Sequence, residues 1–201
     1  MTAALVLASA SPARLATLRA VGIEPEVIVS GVDESELVDP DPASYAVGLA
    51  RLKARAVSER LTDRVSGWVL GCDSVLAFEG EVLGKPADAD EATSRWRRMR
   101  GRSGVLHTGH CLIALDGSSH EVVRPVATTV HFADVTDAEI EAYVATGEPL
   151  QVAGAFTVDG LGGAFITCIE GDHHNVVGLS LPVLRVMLSE LGVAWTDLWL
   201  H

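Results

Sequence analysis

At 201 residues, with 48% hydrophobic and 21% charged residues, the chain has ordinary globular composition, which argues against a disordered segment, a collagen-like repeat and a pure coiled coil. Its formal charge of −12, from 15 Lys+Arg against 27 Asp+Glu, sets up a field that repels DNA, RNA and anionic lipid. The longest apolar stretches, at 3–8 and 68–70, fall far short of the about 18 residues that span a bilayer, and the first lacks a preceding basic region.

In chain order, Leu5-Val6-Leu7-Ala8 reads as a buried strand, followed by a turn and a helix that Ser11 caps, Pro12 opens and Gly22 stops. A second short strand is expected over 26–30, running into the acidic turn Gly31-Val32-Asp33-Glu34. From Pro42 to about Leu61, apolar Tyr45, Leu49, Leu52, Ala56 and Leu61 follow a helical period, and Lys53, four residues after Leu49, falls on or beside the buried face. A strand over 68–76, interrupted by Asp73-Ser74, leads into a hairpin around Glu79-Gly80 that delivers Gly84-Lys85-Pro86. An Arg-rich helix over 90–100 ends at Gly101, and the stretches 105–115 and 122–132 read as long antiparallel strands. Thr136 and Glu139 form a capping box for a helix to Thr146. A Gly-rich stretch over 151–163, a strand over 165–169 and a helix over 179–191 stopped by Gly192 complete the chain. Strand–helix alternation followed by antiparallel strands implies a mixed α/β sheet with α+β character. With no linker or repeat, one domain over 1–201 is expected. Three cysteines, Cys72, Cys111 and Cys168, form no C-x-x-C pair and sit in apolar stretches suited to small buried side chains, which places the chain in a reducing cytoplasm.

Four places could carry chemistry. Ser9-Ala10-Ser11-Pro12-Ala13-Arg14 sits where a strand meets a helix, so backbone N–H groups, two hydroxyls and a guanidinium could cradle an anion; a capped helix with a surface arginine is the plainer alternative. Asp73 is a carboxylate in an apolar strand and needs a cationic or metal partner or an open strand end, as a site residue or as a structural ion pair. The chain has 13 arginines and two lysines, Lys53 and Lys85, which makes both lysines suspects, although each could be a solvated surface charge. With Arg14 and a helix N-terminus they would offset a polyphosphate, while Glu34 and Asp73 could hold Mg²⁺. The segment 153–163 fits neither the phosphate-binding P-loop nor the dinucleotide fingerprint; it could approach a planar base closely or be a tight structural turn. His107, His110, His173, His174 and Cys168 lack zinc-site spacing, no Gly-x-Ser-x-Gly elbow occurs, and Trp68, Trp96, Trp195 and Trp199 read as packing residues.

Taken together, Leu7-Ala8-Ser9-Ala10-Ser11-Pro12-Ala13-Arg14, Gly31-Val32-Asp33-Glu34, Ala50-Arg51-Leu52-Lys53-Ala54, Gly71-Cys72-Asp73-Ser74-Val75, Gly84-Lys85-Pro86 and Ala153-Gly154-Ala155-Phe156 closely resemble the Maf family of nucleoside triphosphate pyrophosphatases, over about residues 5–192. Glu170-Gly171-Asp172 and Asn175-Val176-Val177-Gly178-Leu179 extend the likeness. The resemblance implies an elongated α/β fold, similar to that of inosine triphosphate pyrophosphatases, with two lobes around a central mixed sheet and a cleft. It implies a cytosolic enzyme, often dimeric and linked to septum formation, that hydrolyses nucleoside triphosphates, dTTP, UTP or modified ones, to monophosphate and pyrophosphate with a divalent metal, Mg²⁺ or Mn²⁺. Asp73 then corresponds to the catalytic carboxylate; Ser9, Ser11, Arg14, Lys53 and Lys85 to the polyphosphate-binding set, the two lysines also counted as catalytic; and Glu34, with Asp73, to metal binding. Ala13 replaces the first of the family's paired arginines, and Ser74 stands where threonine is common, keeping a hydroxyl toward substrate. In the dTTP- and UTP-directed branch the Gly-rich segment reads Ile-Gln-Gly; here it reads Val158-Asp159-Gly160, and an acidic Asp159 facing a base would favour donor edges. A noncatalytic nucleotide-binding regulator of cell division is the alternative function for the same residues.

Overall fold

Leu5, Val6 and Leu7 are all buried although their side chains alternate in direction, an arrangement that requires a strand covered on both faces. The computed structural model describes residues 5–35, 37–118 and 120–199; Ala3 and Ala4 of the expected apolar run lie outside them. The strands are β1 (Leu5–Leu7), β2 (Glu26–Val27), β3 (Trp68–Phe78), β4 (Glu81–Leu83), β5 (Ser103–Ala114), β6 (Glu121–Phe132) and β7 (Ile166–Glu170). Among the described residues these seven form one sheet in the order β2-β1-β3-β5-β6-β7, with β4 paired to β3. The sheet is mixed: β1 runs parallel to β2 and β3, whereas β3–β4 and β6–β7 are antiparallel. The helices are α1 (Pro12–Ala20), α2 (Pro42–Ser58), α3 (Ala89–Met99), α4 (Asp137–Ala145), α5 (His173–Val177) and α6 (Leu181–Glu190).

The chain divides into two compact units. The first comprises Met1–Asp73, Thr108–Val126 and Gly178–His201, and its strands β1, β3 and β5 bury both faces. Leu5, Leu7, Leu70, Cys72 and Leu112 pack with Leu18 of α1 and Leu184, Met187 and Leu188 of α6. Val6, Ala8, Val69, Cys111 and Ile113 pack with Ala50, Ala54 and Val57 of α2. The period-2 alternation along β3 thus sorts Leu70 and Cys72 to one layer and Val69 to the other. The second unit, Ser74–His107 and Ala127–Val177, gathers around Trp96 of α3. The Trp96 indole meets Phe132, Tyr143 and Phe165 edge-on at centroid distances of 5.7, 5.5 and 5.8 Å, and its N–H donates to the Ala155 carbonyl at 2.7 Å.

Local chemistry explains the helix ends. Ser11, Asp41, Asp88, Thr136 and Ser180 accept backbone N–H groups as N-caps, Thr136 with Glu139 as a capping box, and Pro12 and Pro42 open their helices. Several expectations are corrected. The second strand is two residues long rather than 26–30, and β3 continues through Asp73-Ser74 without interruption. α5 was not anticipated, and the helix from Pro42 passes into a 3₁₀ turn at Glu59–Leu61. Cys168 is exposed, because it lies on β7 at the end of the sheet, and Trp199 is 44% exposed rather than packed.

The buried line of α2 also differs from the expected one. Ala46, Leu49, Ala50, Ala54 and Val57 face inward, whereas Leu52 is exposed. The reason lies in two strand glycines: a Cβ on Gly71 would sit 2.2 Å from the Ala50 carbonyl oxygen, and one on Gly109 would sit 2.3 Å from that of Ala46. The helix rests directly on strand backbone at both points, so small residues line the contact.

Candidate active site

The first unit brings Asp73, Lys53 and Glu34 together. Gly71 and Asp73 are two residues apart on β3 and share a face, the one on which α2 rests. Lys53 follows Leu52 on α2 and is flanked by Ala54, whose Cβ approaches Gly71, so the close helix–strand contact carries its side chain to Asp73. The Lys53 Nζ donates a hydrogen bond to Asp73 Oδ1 and lies 2.8 Å from Glu34 Oε1. The Lys53 and Asp73 side chains are each 13% exposed and that of Glu34 is 47% exposed, so the cluster is closed on one side and open on the other. Glu34 reaches it from the loop after β2, whose start is tied to the 3₁₀ turn after α2: Arg60 donates to the carbonyls of Val29, at 3.0 Å, and Ser30.

A carboxylate in this environment requires a cation, and Lys53 supplies it. Two carboxylates converging on one cation also match what Mg²⁺ uses when it takes its remaining ligands from water and phosphate. Asp73 and Glu34 are therefore a donor pair whose chemistry suits a divalent cation. Among the described residues no group of three or more His, Cys, Asp or Glu side chains is gathered for a metal, so phosphate and water would have to complete the shell.

Ser9, Ser11 and Arg14 also come together in the first unit. Ser11 caps α1 by accepting the Arg14 N–H at 3.4 Å, and Ser9 Oγ accepts the Ser11 N–H at 3.2 Å. Arg14 is 8% exposed; its Nε donates to the Gly178 carbonyl at 2.7 Å and its Nη1 to Ser9 Oγ at 3.1 Å. Two directions of the guanidinium fork are thus taken up by protein acceptors that hold Ser9 in place. A Cβ on Gly178, at φ +118°, would lie 3.2 Å from Arg14 Nε, which explains a glycine there. Next to Asp73, burial pushes the Cys72 thiol up to about 11, with the Arg14 and Lys53 charges opposing the rise and Asp73 adding to it. Cys72 is an inert packing thiol.

Three further expected residues belong to the second unit. Ser74 follows Asp73 along β3, where successive side chains take opposite faces. Lys85 is exposed, but the residue before it is pinned: the Gly84 carbonyl accepts from Arg95 Nη1 at 2.6 Å and from the Gly154 N–H at 3.0 Å. Asp159 is exposed on a turn held by Glu148. The Glu148 carboxylate accepts from the Thr157 hydroxyl, from Tyr143 Oη at 3.0 Å and from the N–H groups of Leu161 and Gly162, each at 3.0 Å. Burial alone would raise the Glu148 pKa; the donors from Thr157, Leu161, Gly162 and Tyr143 outweigh it and hold the carboxyl below its usual value.

Sequence reasoning gave no role to Gly71, quoted only within the motif around Asp73, or to Gly109, Arg60 or Glu148. A glycine inside an apolar strand was the available signal for the first two. Nothing local marks Arg60 or Glu148, whose partners are remote backbone groups.

The family model described as "Maf-like protein" matches residues 4–191. A nucleoside triphosphate pyrophosphatase of Salinispora tropica is 60% identical over 198 residues, covering 97% of this chain and 87% of its own. One of Streptomyces avermitilis is 57% identical, covering 97% and 94%, and one of Synechococcus sp. is 54% identical, covering 92% and 98%. Among the described residues no helix is long and apolar enough to cross a membrane.

Proposed function

The chain belongs to the Maf-like protein family and is a nucleoside triphosphate pyrophosphatase, a hydrolase, and we propose that Asp73, Lys53 and Glu34 form its reaction centre. The observation that carries this reading is the single Lys53 ammonium shared by a buried and an exposed carboxylate, closed off on the α2 side and open toward Glu34. Water attacks the α-phosphorus, a P–O bond forms, the bond to the β-phosphate oxygen breaks, and pyrophosphate leaves with nucleoside monophosphate as the other product. Asp73 orients that water and receives its proton. Asp73 and Glu34 would hold the divalent cation, Mg²⁺ or Mn²⁺, which when bound neutralises phosphate charge and polarises the phosphorus. Lys53 offsets the charge that grows on the phosphate oxygens, and the Ser9–Ser11 turn at the start of α1, fixed by Arg14, offers its hydroxyls to the polyphosphate.

Asp159 is the residue we assign to base preference, should a base face it. An exposed carboxylate only accepts hydrogen bonds at neutral pH, so it favours a base edge that presents an exocyclic amine or ring N–H. The deciding experiment incubates the protein and its Asp73→Asn variant with Mg²⁺ and a panel of ordinary and modified nucleoside triphosphates, resolving monophosphate, pyrophosphate and orthophosphate. Monophosphate plus pyrophosphate from the wild type alone is the expected result. Binding without turnover on every nucleotide would transfer the pocket to a nucleotide-sensing role in cell division.

A further inference from the structure

We propose that Lys53 is the resting occupant of the divalent-cation position, so that the dication binds appreciably only together with the nucleotide. This rests on the reading of Asp73 and Glu34 as metal-holding carboxylates. The Lys53 Nζ is hydrogen-bonded to Asp73 Oδ1 and lies 2.8 Å from Glu34 Oε1, so the two oxygens that would face a metal ion already face an ammonium nitrogen. A dication such as Mg²⁺ needs oxygen ligands at about 2.0–2.1 Å and cannot share that position with an ammonium. With Lys53 in place the three side chains carry a net charge of −1, a weak attraction for a strongly hydrated dication.

The lysine has somewhere else to go once substrate is present. Its flexible four-carbon stem leaves α2 beside the cluster, and its ammonium is a compact point charge suited to a phosphate oxygen. A triphosphate brings about four negative charges, which give the ammonium a new partner and leave both carboxylates to the dication. Lys53 therefore trades one anion for another as the metal enters, and the Lys53–carboxylate bonds are what the free metal must break unaided. By linkage, nucleotide then tightens metal binding and metal tightens nucleotide binding by the same factor.

The test is a Mn²⁺ titration followed by the electron paramagnetic resonance signal of the free ion, on wild type, Lys53→Met and Lys53→Gln. Each is titrated alone and with an α,β-methylene triphosphate analogue that cannot be cleaved. In the wild type the analogue is expected to tighten Mn²⁺ binding about tenfold or more, within the usual range of coupling between ligands. Without nucleotide, both variants should bind Mn²⁺ about tenfold tighter than wild type, and the tightening by the analogue, corrected for its own chelation of Mn²⁺, should be about tenfold smaller in them than in wild type. Equal Mn²⁺ affinity of wild type and both variants without nucleotide, with that binding lost in Asp73→Asn, would overturn the proposal while leaving the metal-holding carboxylates standing. No Mn²⁺ binding in any of the proteins, even with the analogue, would remove the metal-holding role itself and the proposal with it. The wild-type titration alone carries the coupling test should both variants fold poorly, and absence of coupling there overturns the proposal.

Discussion

Asp73 in the first unit is buried and Glu148 in the second is half-buried, and the two carboxylates are satisfied in opposite ways. Asp73 meets one ammonium on a long side chain, shared with Glu34. Glu148 meets two backbone N–H groups and two hydroxyls, all neutral and fixed by the fold. A charge held by a movable cation can be handed to a substrate or metal, because the cation can leave. A charge held by backbone donors cannot be released without undoing the loop. The difference separates a carboxylate suited to chemistry from one suited to architecture.

Asp73→Asn is the strongest way to break that contrast. Asp73→Asn retains an acceptor for Lys53, so it should lower kcat by about 10²–10⁴-fold, the range for removing a general base, with thermal unfolding nearly unchanged. An undiminished rate would remove Asp73 from the reaction centre. Gly71→Ala tests the framework beneath it: a Cβ 2.2 Å from the Ala50 oxygen forces α2 away from β3, and both stability and activity should fall. A stable Gly71→Ala variant with normal kcat would mean that Lys53 reaches Asp73 without the close contact.

Glu148→Gln should do the converse of Asp73→Asn. Leaving part of its donor set unmatched should cost about 1–3 kcal/mol of stability, measured by denaturant unfolding, with activity at low temperature largely kept. Loss of kcat at unchanged stability would place Glu148 with Asp73 and end the contrast. The pH dependence sharpens the same point. Because the folded-state pKa of Glu148 lies below the ordinary 4.5, its contribution is fully present above that value and is lost as pH falls through the lowered one. The gap in Tm between wild type and Glu148→Gln should therefore be widest near neutrality and close progressively below 4.5, and a gap independent of pH would contradict it.

The smallest expected effect is at Lys85. Its side chain is exposed while the backbone before it is pinned by Arg95 and Gly154, so Lys85→Ala should raise KM for triphosphate about tenfold, the worth of one charge-assisted hydrogen bond, with little change in stability. Unchanged KM and kcat would return Lys85 to the solvated surface.

The sequence by itself determined what rests on neighbours along the chain. Ser11, Pro12 and Gly22 bound α1, Thr136 and Glu139 start α4, and Glu79-Gly80 turn β3 into β4, because caps and turns satisfy backbone groups within a few residues. The strangeness of Asp73 was legible too, since a carboxylate between Cys72 and Val75 needs a cationic or metal partner or an open strand end. Which cation meets it was decided by the tertiary structure. Lys53 is 20 residues away along the chain and reaches Asp73 because Gly71 and Gly109 let an alanine stripe lie on strand backbone, a face that the larger apolar residues of α2 had concealed. The buried Arg14, the Arg60 tether and the Glu148 clamp also depend on carbonyls and N–H groups that are brought near only by folding. Backbone donors and acceptors are the same at every residue, so no side-chain pattern along the sequence marks which of them a distant charge will find.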